Sequence, residues 1–350
     1  MKTCNYLICI PRLCLGGAEI QAIKLANTLA KDFGYTVSVL LIKDSTPESR
    51  KLLHSSIELV SINKSRGILS SVGALIKFLL EIRRRKVKIL ILYLSQSELY
   101  YFLAYLLGMR IPAISMVRSK IVVPKSPINK LKGQLYGSVF SEIIINSMAN
   151  FGPSAQFYGR LPKYLPNFVD VPSSITCNKR SSATIRLIYV ARFIPEKNHL
   201  FLINFIQKYK DHNFELLLIG DLNAYFEEFL LAHIENVHNK VKYIKNTPHV
   251  RQHISQSDIF VFPSEYTEGC PNVILESMSE GVPVIVTSSQ SELDLPCIHY
   301  ESGNHLSLLK CVQDVIDNYS FWVRRGSDYL ARIEQIRKFV ICEVFANDRA

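Results

Sequence analysis

A run of about 20 uninterrupted apolar residues, the length a membrane-crossing helix needs, is missing from this 350-residue chain. The nearest candidate, Ile89 to Met109, is broken by Ser95, Gln96, Ser97 and Glu98; it reads as a strand, a turn and a buried helix. The opening MKTCNYLICIPRL has no small-residue cleavage site, so a first strand is expected there and not a signal peptide. CxxC pairs and metal-type Cys/His spacings are also absent. The eight cysteines are scattered, several of them within apolar runs, where a thiol behaves as a small hydrophobe. That usage excludes a disulfide scaffold and points to a reducing cytoplasm. No Asp-x-Asp pair is placed to hold a divalent ion, so neither a metal nor a cofactor is expected. Acidic residues are scarce in the first half. Residues 1–170 hold 9 Asp and Glu against 23 Lys and Arg, a balance of +14, whereas the remainder holds 21 against 18, a balance of −3. A basic half on a near-neutral half suggests that one domain faces a polyanion, either nucleic acid or an anionic membrane.

What is present is a regular alternation of short apolar strands and amphipathic helices. Tyr6–Ile10, Val37–Ile42, Glu58–Ile62, Ile89–Tyr93, Ala113–Met116 and Ile143–Ile145 read as strands of a first half, with a helix over Glu19–Phe33 after the first. The pattern restarts with Arg186–Ala191, a helix over His199–Tyr209, and strands at Phe214–Ile219, Val241–Ile244, Ile259–Phe262 and Val282–Val286. This is the signature of doubly wound parallel sheets. The polar, Ser-rich stretch PSSITCNKRSSAT at 172–184 reads as a linker. The expected organisation is an N-terminal domain over 1–171, the linker, and a C-terminal domain over 185–350, whose last helix is free to pack back on the first domain. Two such halves are expected to face a cleft at the carboxyl ends of their strands.

Each half has a phosphate-friendly turn. RLCLGGAEIQ places Gly16 and Gly17 before a helix, where backbone can approach a ligand closely. It is not the GxGxxG fingerprint, and a plain tight turn reads equally well. In the second half RLIYVA runs into Arg192-Phe-Ile-Pro-Glu-Lys197. A guanidinium and an ammonium at a strand's carboxyl end can clamp a diphosphate; two solvated cations are the plainer reading. Farther on, PSEYTEGCPNVILESMSE follows the strand Ile259–Phe262 and puts Glu268 on a loop and Glu276 in the helix that the loop opens. A carboxylate there can hold a vicinal diol, or simply favour a helix start.

Arg192 to Lys197, PNFVD at Pro166–Asp170 and SEYTEGCPNVILE at Ser264–Glu276 together resemble the retaining glycosyltransferases of family 4, which have the GT-B fold of two Rossmann-like domains facing a central cleft. The resemblance runs from the Gly16-Gly17 turn to about Val286 and is specific in the second half. It implies that Arg192 and Lys197 neutralise a nucleotide diphosphate, that Glu268, Gly269, Cys270, Pro271 and Asn272 hold the donor sugar, that Glu276 takes the ribose hydroxyls, and that Gly16 and Gly17 approach the phosphates. Three departures stand out. Many relatives carry a His after a strand like Ala113–Met116, where this chain has Arg118, the candidate to take over a sugar or acceptor contact. Cys270 replaces the commoner Phe. The loop TSSQSELDL after Val286 lacks a glycine often found there.

The activity implied is a metal-independent transfer of a hexosyl or N-acetylhexosaminyl unit from a UDP-sugar to a lipid-diphosphate-linked glycan, as in O-antigen, capsule or lipopolysaccharide assembly. Two rivals remain at this point: a GT-B sugar-nucleotide epimerase, and a basic nucleic-acid-binding protein. The latter would use aromatics exposed among Lys and Arg, whereas Tyr100, Tyr101, Phe102 and Tyr105 fall in an apolar helix, so no nucleic acid is expected. SSVGALIKFLLEIRRRKVK at 70–88 puts Val72, Leu75, Ile76, Leu79 and Leu80 on one face and ends in Arg83, Arg84, Arg85, Lys86 and Lys88. A second basic stretch runs from Arg118 to Lys132. An ordinary core-facing helix with a solvated basic end fits as well, but juxtaposed cations also suit an anionic membrane. The expected location is the inner face of the cytoplasmic membrane, held peripherally.

Overall fold

The computed structural model describes residues 4–346 except 66, 124–125, 173–174, 176–182, 223–232, 235–236, 238–239, 246 and 267. It divides into two compact units, residues 1–168 with 336–350 and residues 169–335. The division falls at Phe168–Val169, and most of the expected linker lies outside the described residues.

The first unit contains β1 (Tyr6–Ile10), α1 (Gly17–Lys31), β2 (Val37–Leu41), α2 (Pro47–Lys51), β3 (Glu58–Ser61), α3 (Ile68–Arg84), β4 (Ile89–Tyr93), α4 (Leu94–Leu106), β5 (Ala113–Val117), α5 (Pro127–Val139), β6 (Glu142–Ile145), α6 (Phe151–Tyr158) and β7 (Lys163–Tyr164). All pairings are parallel, in the order β3-β2-β1-β4-β5-β6-β7. Strands such as YLICI and VSVLL are buried throughout, because helices cover both faces of a parallel sheet and leave no solvated side. One face packs on α3 to α6 through Phe78, Ile82, Tyr101, Ala104, Tyr136 and Tyr158; the other packs on α1 and on Val340, Ile341 and Phe345 from the chain's end. The expected turn at Ser95–Glu98 is instead the opening of α4, which leaves β4 at once through Leu94 at φ 67°. Such a φ is rare for a branched residue and marks a sharp corner held by its surroundings.

Helices α5 and α6 approach backbone to backbone. A Cβ on Gly137 would lie 1.9 Å from the Tyr158 carbonyl oxygen, and one on Gly133 would lie 2.4 Å from the Phe157 carbonyl oxygen. Only glycine fits, and the neighbour cannot yield by a rotamer change. Gly137→Ala is therefore expected to force the helices apart at a cost of about 1–3 kcal/mol. Thermal unfolding should show a melting point lower by several degrees; an unchanged midpoint would show that the helices part without cost.

The second unit contains β8 (Ile185–Val190), α7 (His199–Lys208), β9 (Phe214–Ile219), β10 (Val241–Ile244), α8 (Val250–Ser255), β11 (Ile259–Phe262), α9 (Asn272–Ser279), β12 (Val284–Thr287), β13 (Ile298–Tyr300) and α10 (His305–Asp317). Its parallel sheet runs β10-β9-β8-β11-β12-β13. A final helix, α11 (Tyr319–Ile341), adds Tyr319, Val323, Leu330 and Ile333 to the second core before the chain rejoins the first unit at residue 336.

Candidate active site

Strand order brings the two charged motifs of the second half together. β8 and β11 are neighbours, paired Ile259 to Leu187 and Phe260 to Ile188, and the order of strands reverses between them. Loops leaving the carboxyl ends of strands at such a switch point form the usual binding crevice of an open α/β sheet.

After β8 the chain makes one 3-10 turn, Pro195–Lys197, and Asn198 then reverses it at φ 52°, a left-handed conformation that Asn tolerates. The Tyr189 hydroxyl donates to the Lys197 carbonyl at 3.0 Å, which fixes the turn from beneath. On the far side of the turn, Gly220 lies so close to Ala191 that a Cβ there would stand 1.9 Å from the Ala191 carbonyl oxygen. The loop after β11 is tied to this turn: the Glu265 N–H donates to the Glu196 carbonyl at 3.1 Å, and the Ser264 hydroxyl donates to the same oxygen at 3.3 Å. Glu265 accepts from Asn198 Nδ2 at 3.3 Å and from the Ser289 and Ser302 hydroxyls at 2.8 and 2.7 Å. Two motifs some seventy residues apart thus form one framework.

Lys197 Nζ donates to Glu268 Oε1 in an ion pair, with side chains 15% and 23% exposed, too buried to be screened as a surface pair. The ammonium also lies 5.6 Å from the Phe262 ring centre. Burial and the nearby Arg192 guanidinium push Lys197 down to about 8, against the opposing pull of Glu196. At about 8, Lys197 still keeps its ammonium charged at neutral pH. Arg192 itself is exposed, and no ion pair among the described residues engages it.

Sequence reasoning passed over Gln290. This side chain is fully buried and uses three of its bonding positions on the loop after β11. Its Nε2 donates to the Ser264 and Tyr266 carbonyls at 2.8 and 2.7 Å, and its Oε1 accepts from the Glu268 N–H at 3.2 Å. The only signal was a lone amide in TSSQSELDL, a segment that drew notice for the glycine it lacks. Beyond Glu268 the chain passes buried Gly269, half-buried Cys270 and buried Pro271, and α9 begins at Asn272. Glu276 is half-buried on that helix and, like Cys270 and Asn272, already has an interaction partner.

Gly16, Gly17 and Arg118 belong to the first unit. Gly16 caps α1 in extended geometry, and the Glu19 carboxylate folds over it so closely that a Cβ would sit 2.5 Å from Oε2. An anion at that helix start must therefore displace Glu19. Arg118 is already occupied: it donates to Asn167 Oδ1 at 3.0 Å and to the Tyr93 hydroxyl at 3.2 Å, and lies 5.1 Å over the Tyr93 ring. Arg118 thus ties the loop after β5 to the PNFVD segment. Arg118 also lines a cavity of about 380 Å³ with Glu98, Asn129, Lys132 and Tyr136. Burial raises the Glu98 carboxyl above its usual range, partly offset by the Ser115 hydroxyl. Tyr100 and Tyr101 are buried and Phe102 and Tyr105 half-buried, so these rings form no exposed base-stacking platform.

Residues 178–306 match the family model described as glycosyl transferases group 1. The putative glycosyltransferase EpsF of Bacillus subtilis (strain 168) is 32% identical over 140 residues, spanning 37% of this chain and only 36% of that relative's length. The capsular polysaccharide biosynthesis glycosyltransferase CapH of Staphylococcus aureus is 23% identical over 314 residues, 85% of each chain. Among solved structures, Anabaena HepE in complex with UDP-glucose superposes with a TM-score of 0.76 at 18% identity, over 98% of this chain and 99% of that one. This last likeness is one of fold, and the fold is GT-B.

Proposed function

We propose, on the match of residues 178–306 to the group 1 glycosyltransferase model, that the chain is a retaining, metal-independent glycosyltransferase. It moves a sugar from a UDP-sugar to a lipid-diphosphate-linked glycan in surface polysaccharide assembly. The observation that carries this reading is the Lys197–Glu268 pair, held at the switch point of the second sheet by hydrogen bonds from both of its loops. A cation and a carboxylate side by side suit a diphosphate joined to a hydroxylated sugar. Departure of UDP develops negative charge on its β-phosphate, and preorganised cations stabilise that charge. Lys197 and the exposed Arg192 supply it. Glu268 and the backbone over Gly269–Asn272 hold the sugar, and Glu276 takes the ribose hydroxyls. In the step itself the acceptor oxygen bonds to the anomeric carbon as the bond from that carbon to the phosphate oxygen breaks. The acceptor's proton passes to the departing phosphate, and attack from the leaving-group face preserves the anomeric configuration. UDP is chosen because the HepE structures hold UDP or UDP-glucose, and the acceptor class because CapH is a capsular polysaccharide enzyme by name. A lipid-borne acceptor places the enzyme peripherally on the inner face of the cytoplasmic membrane.

The test is release of UDP from a panel of UDP-sugars in the presence of lipid-linked acceptors. Release should require acceptor, persist in EDTA, and give a product with the donor's anomeric configuration by NMR. Conversion of the UDP-sugar without acceptor would favour an epimerase, and an inverted product would refute retention.

The pH dependence of UDP binding follows from Lys197. Diphosphate binds the ammonium form, so affinity should hold from pH 7 to about 8 and then fall as that proton is lost, by up to about tenfold per pH unit. Titration calorimetry across pH 7 to about 9.5 reads this, with Lys197→Met expected to be weak and flat. A wild-type affinity independent of pH would remove Lys197 from the phosphate contact.

A further inference from the structure

Helices α3, α4 and α5 pack side by side on one face of the first sheet. Each carries two apolar stripes where a surface helix needs one. On α3, Ala74, Phe78 and Ile82 are buried, while Val72, Ile76 and Leu80 are 52%, 52% and 57% exposed. On α4, Tyr100, Tyr101 and Ala104 are buried and Leu99, Leu103 and Leu106 exposed. On α5, Gly133, Tyr136 and Gly137 are buried and Ile128, Leu131 and Leu135 exposed. In each helix the second stripe is offset by two residues from the first, about 200° around the axis, so it faces directly away from the core. A water-facing helix carries polar residues at those positions, and rows on three adjacent helices form a patch, not scattered single side chains.

The charge around this patch has one sign. Lys77, Arg83 and Arg84 of α3, Arg110 after α4, and Lys130 and Lys132 of α5 are exposed, whereas residues 68–140 hold only two acids, Glu81 and Glu98. Glu98 is buried, and Glu81 is paired with Arg84 at 3.3 Å and Arg85 at 3.1 Å. A second copy of the chain docking on this face would set like charges against each other. An anionic bilayer offers the opposite charge and an apolar layer beneath it. We propose that the outer face of α3, α4 and α5 lies in the interface of an anionic membrane, with its leucine rows entering the acyl boundary and the flanking cations on lipid phosphates. This goes beyond adsorption by the basic end of α3, because the leucine rows require insertion. It rests on the glycosyltransferase reading only for its purpose: Asn129, Lys132 and Tyr136 of α5 also line the first unit's cavity, so an acceptor carried in the bilayer would arrive beside polar groups of that same helix.

The experiment is flotation of the full chain with phosphatidylcholine vesicles with or without phosphatidylglycerol, at low and high salt, for wild type and the triple variant Leu103→Ser, Leu106→Ser, Leu131→Ser. UDP binding is measured in parallel. Wild type should bind anionic vesicles more tightly than neutral ones and retain part of that binding at high salt. The variant should lose roughly tenfold or more in partitioning, since bound apolar area sets the inserted component, and should bind UDP as wild type does. Equal vesicle binding by variant and wild type, or none by wild type, would overturn the proposal. So would a wild-type dimer that the variant dissociates, which would assign the face to a second copy. Absence of UDP binding in both proteins would count instead against the glycosyltransferase reading, whatever the vesicles show.

Discussion

Lys197→Met should reduce sugar transfer by about a hundredfold to a thousandfold, the scale of removing one preorganised donor from a developing anion. Methionine keeps the length and apolar stem of the side chain, so the packing against Phe262 survives while the charge does not. Because the charge on the departing phosphate is greatest in the transition state, kcat should fall as well as affinity. Glu268 loses its ion-pair partner, and a moderate loss of stability should follow. Initial rates of UDP release, read alongside a thermal melt, separate the two effects. Lys197→Arg restores charge and should recover part of the rate. A Lys197→Met enzyme that folds and works within tenfold of wild type would remove Lys197 from the chemistry.

Gln290→Leu is expected to be the most damaging change outside the charged groups. Leucine fills the volume but leaves the Ser264 and Tyr266 carbonyls and the Glu268 N–H without the partners they have now. Of these the Ser264 carbonyl is buried, and a buried polar group stranded in this way costs about 1–3 kcal/mol. The loop would loosen where it carries Glu268, so turnover should drop by at least about tenfold together with a lower melting point. Calorimetric melting and steady-state kinetics on one preparation are sufficient to check it. A melting point and kcat both like those of wild type would show that Glu196 and the Ser289 and Ser302 hydroxyls alone hold the loop in place.

Strands were legible because parallel strands covered on both faces are written as short continuous apolar runs. Tyr6–Ile10, Ile89–Tyr93, Phe214–Ile219 and Ile259–Phe262 stand at the residues the pattern marks. Helix α3 was legible as a helix but not in its facing. Val72, Ile76 and Leu80 look like a core stripe, yet the core takes Ala74, Phe78 and Ile82, because a helix with two apolar stripes does not say by its pattern which one is covered. The short Ile298–Tyr300 strand was missed; three residues are too few to show a period. At the candidate site, Lys197 and Glu268 could be named from residue type, but their contact depends on β8 and β11 being neighbours, a pairing that no local pattern encodes. Arg118 showed its charge but not its partners, Asn167 and Tyr93, which come from distant segments. Gln290 was invisible for a related reason: a buried amide differs from a loop amide only in what surrounds it.

Hydrogen–deuterium exchange of the wild-type protein with and without UDP addresses the central claim most directly, since it reports which backbone segments a nucleotide diphosphate orders. The account predicts slowed exchange at the turn around Arg192–Asn198 and from Glu268 through the start of the helix that carries Glu276. Slowed exchange confined to other segments, or no change at saturating UDP, would contradict it.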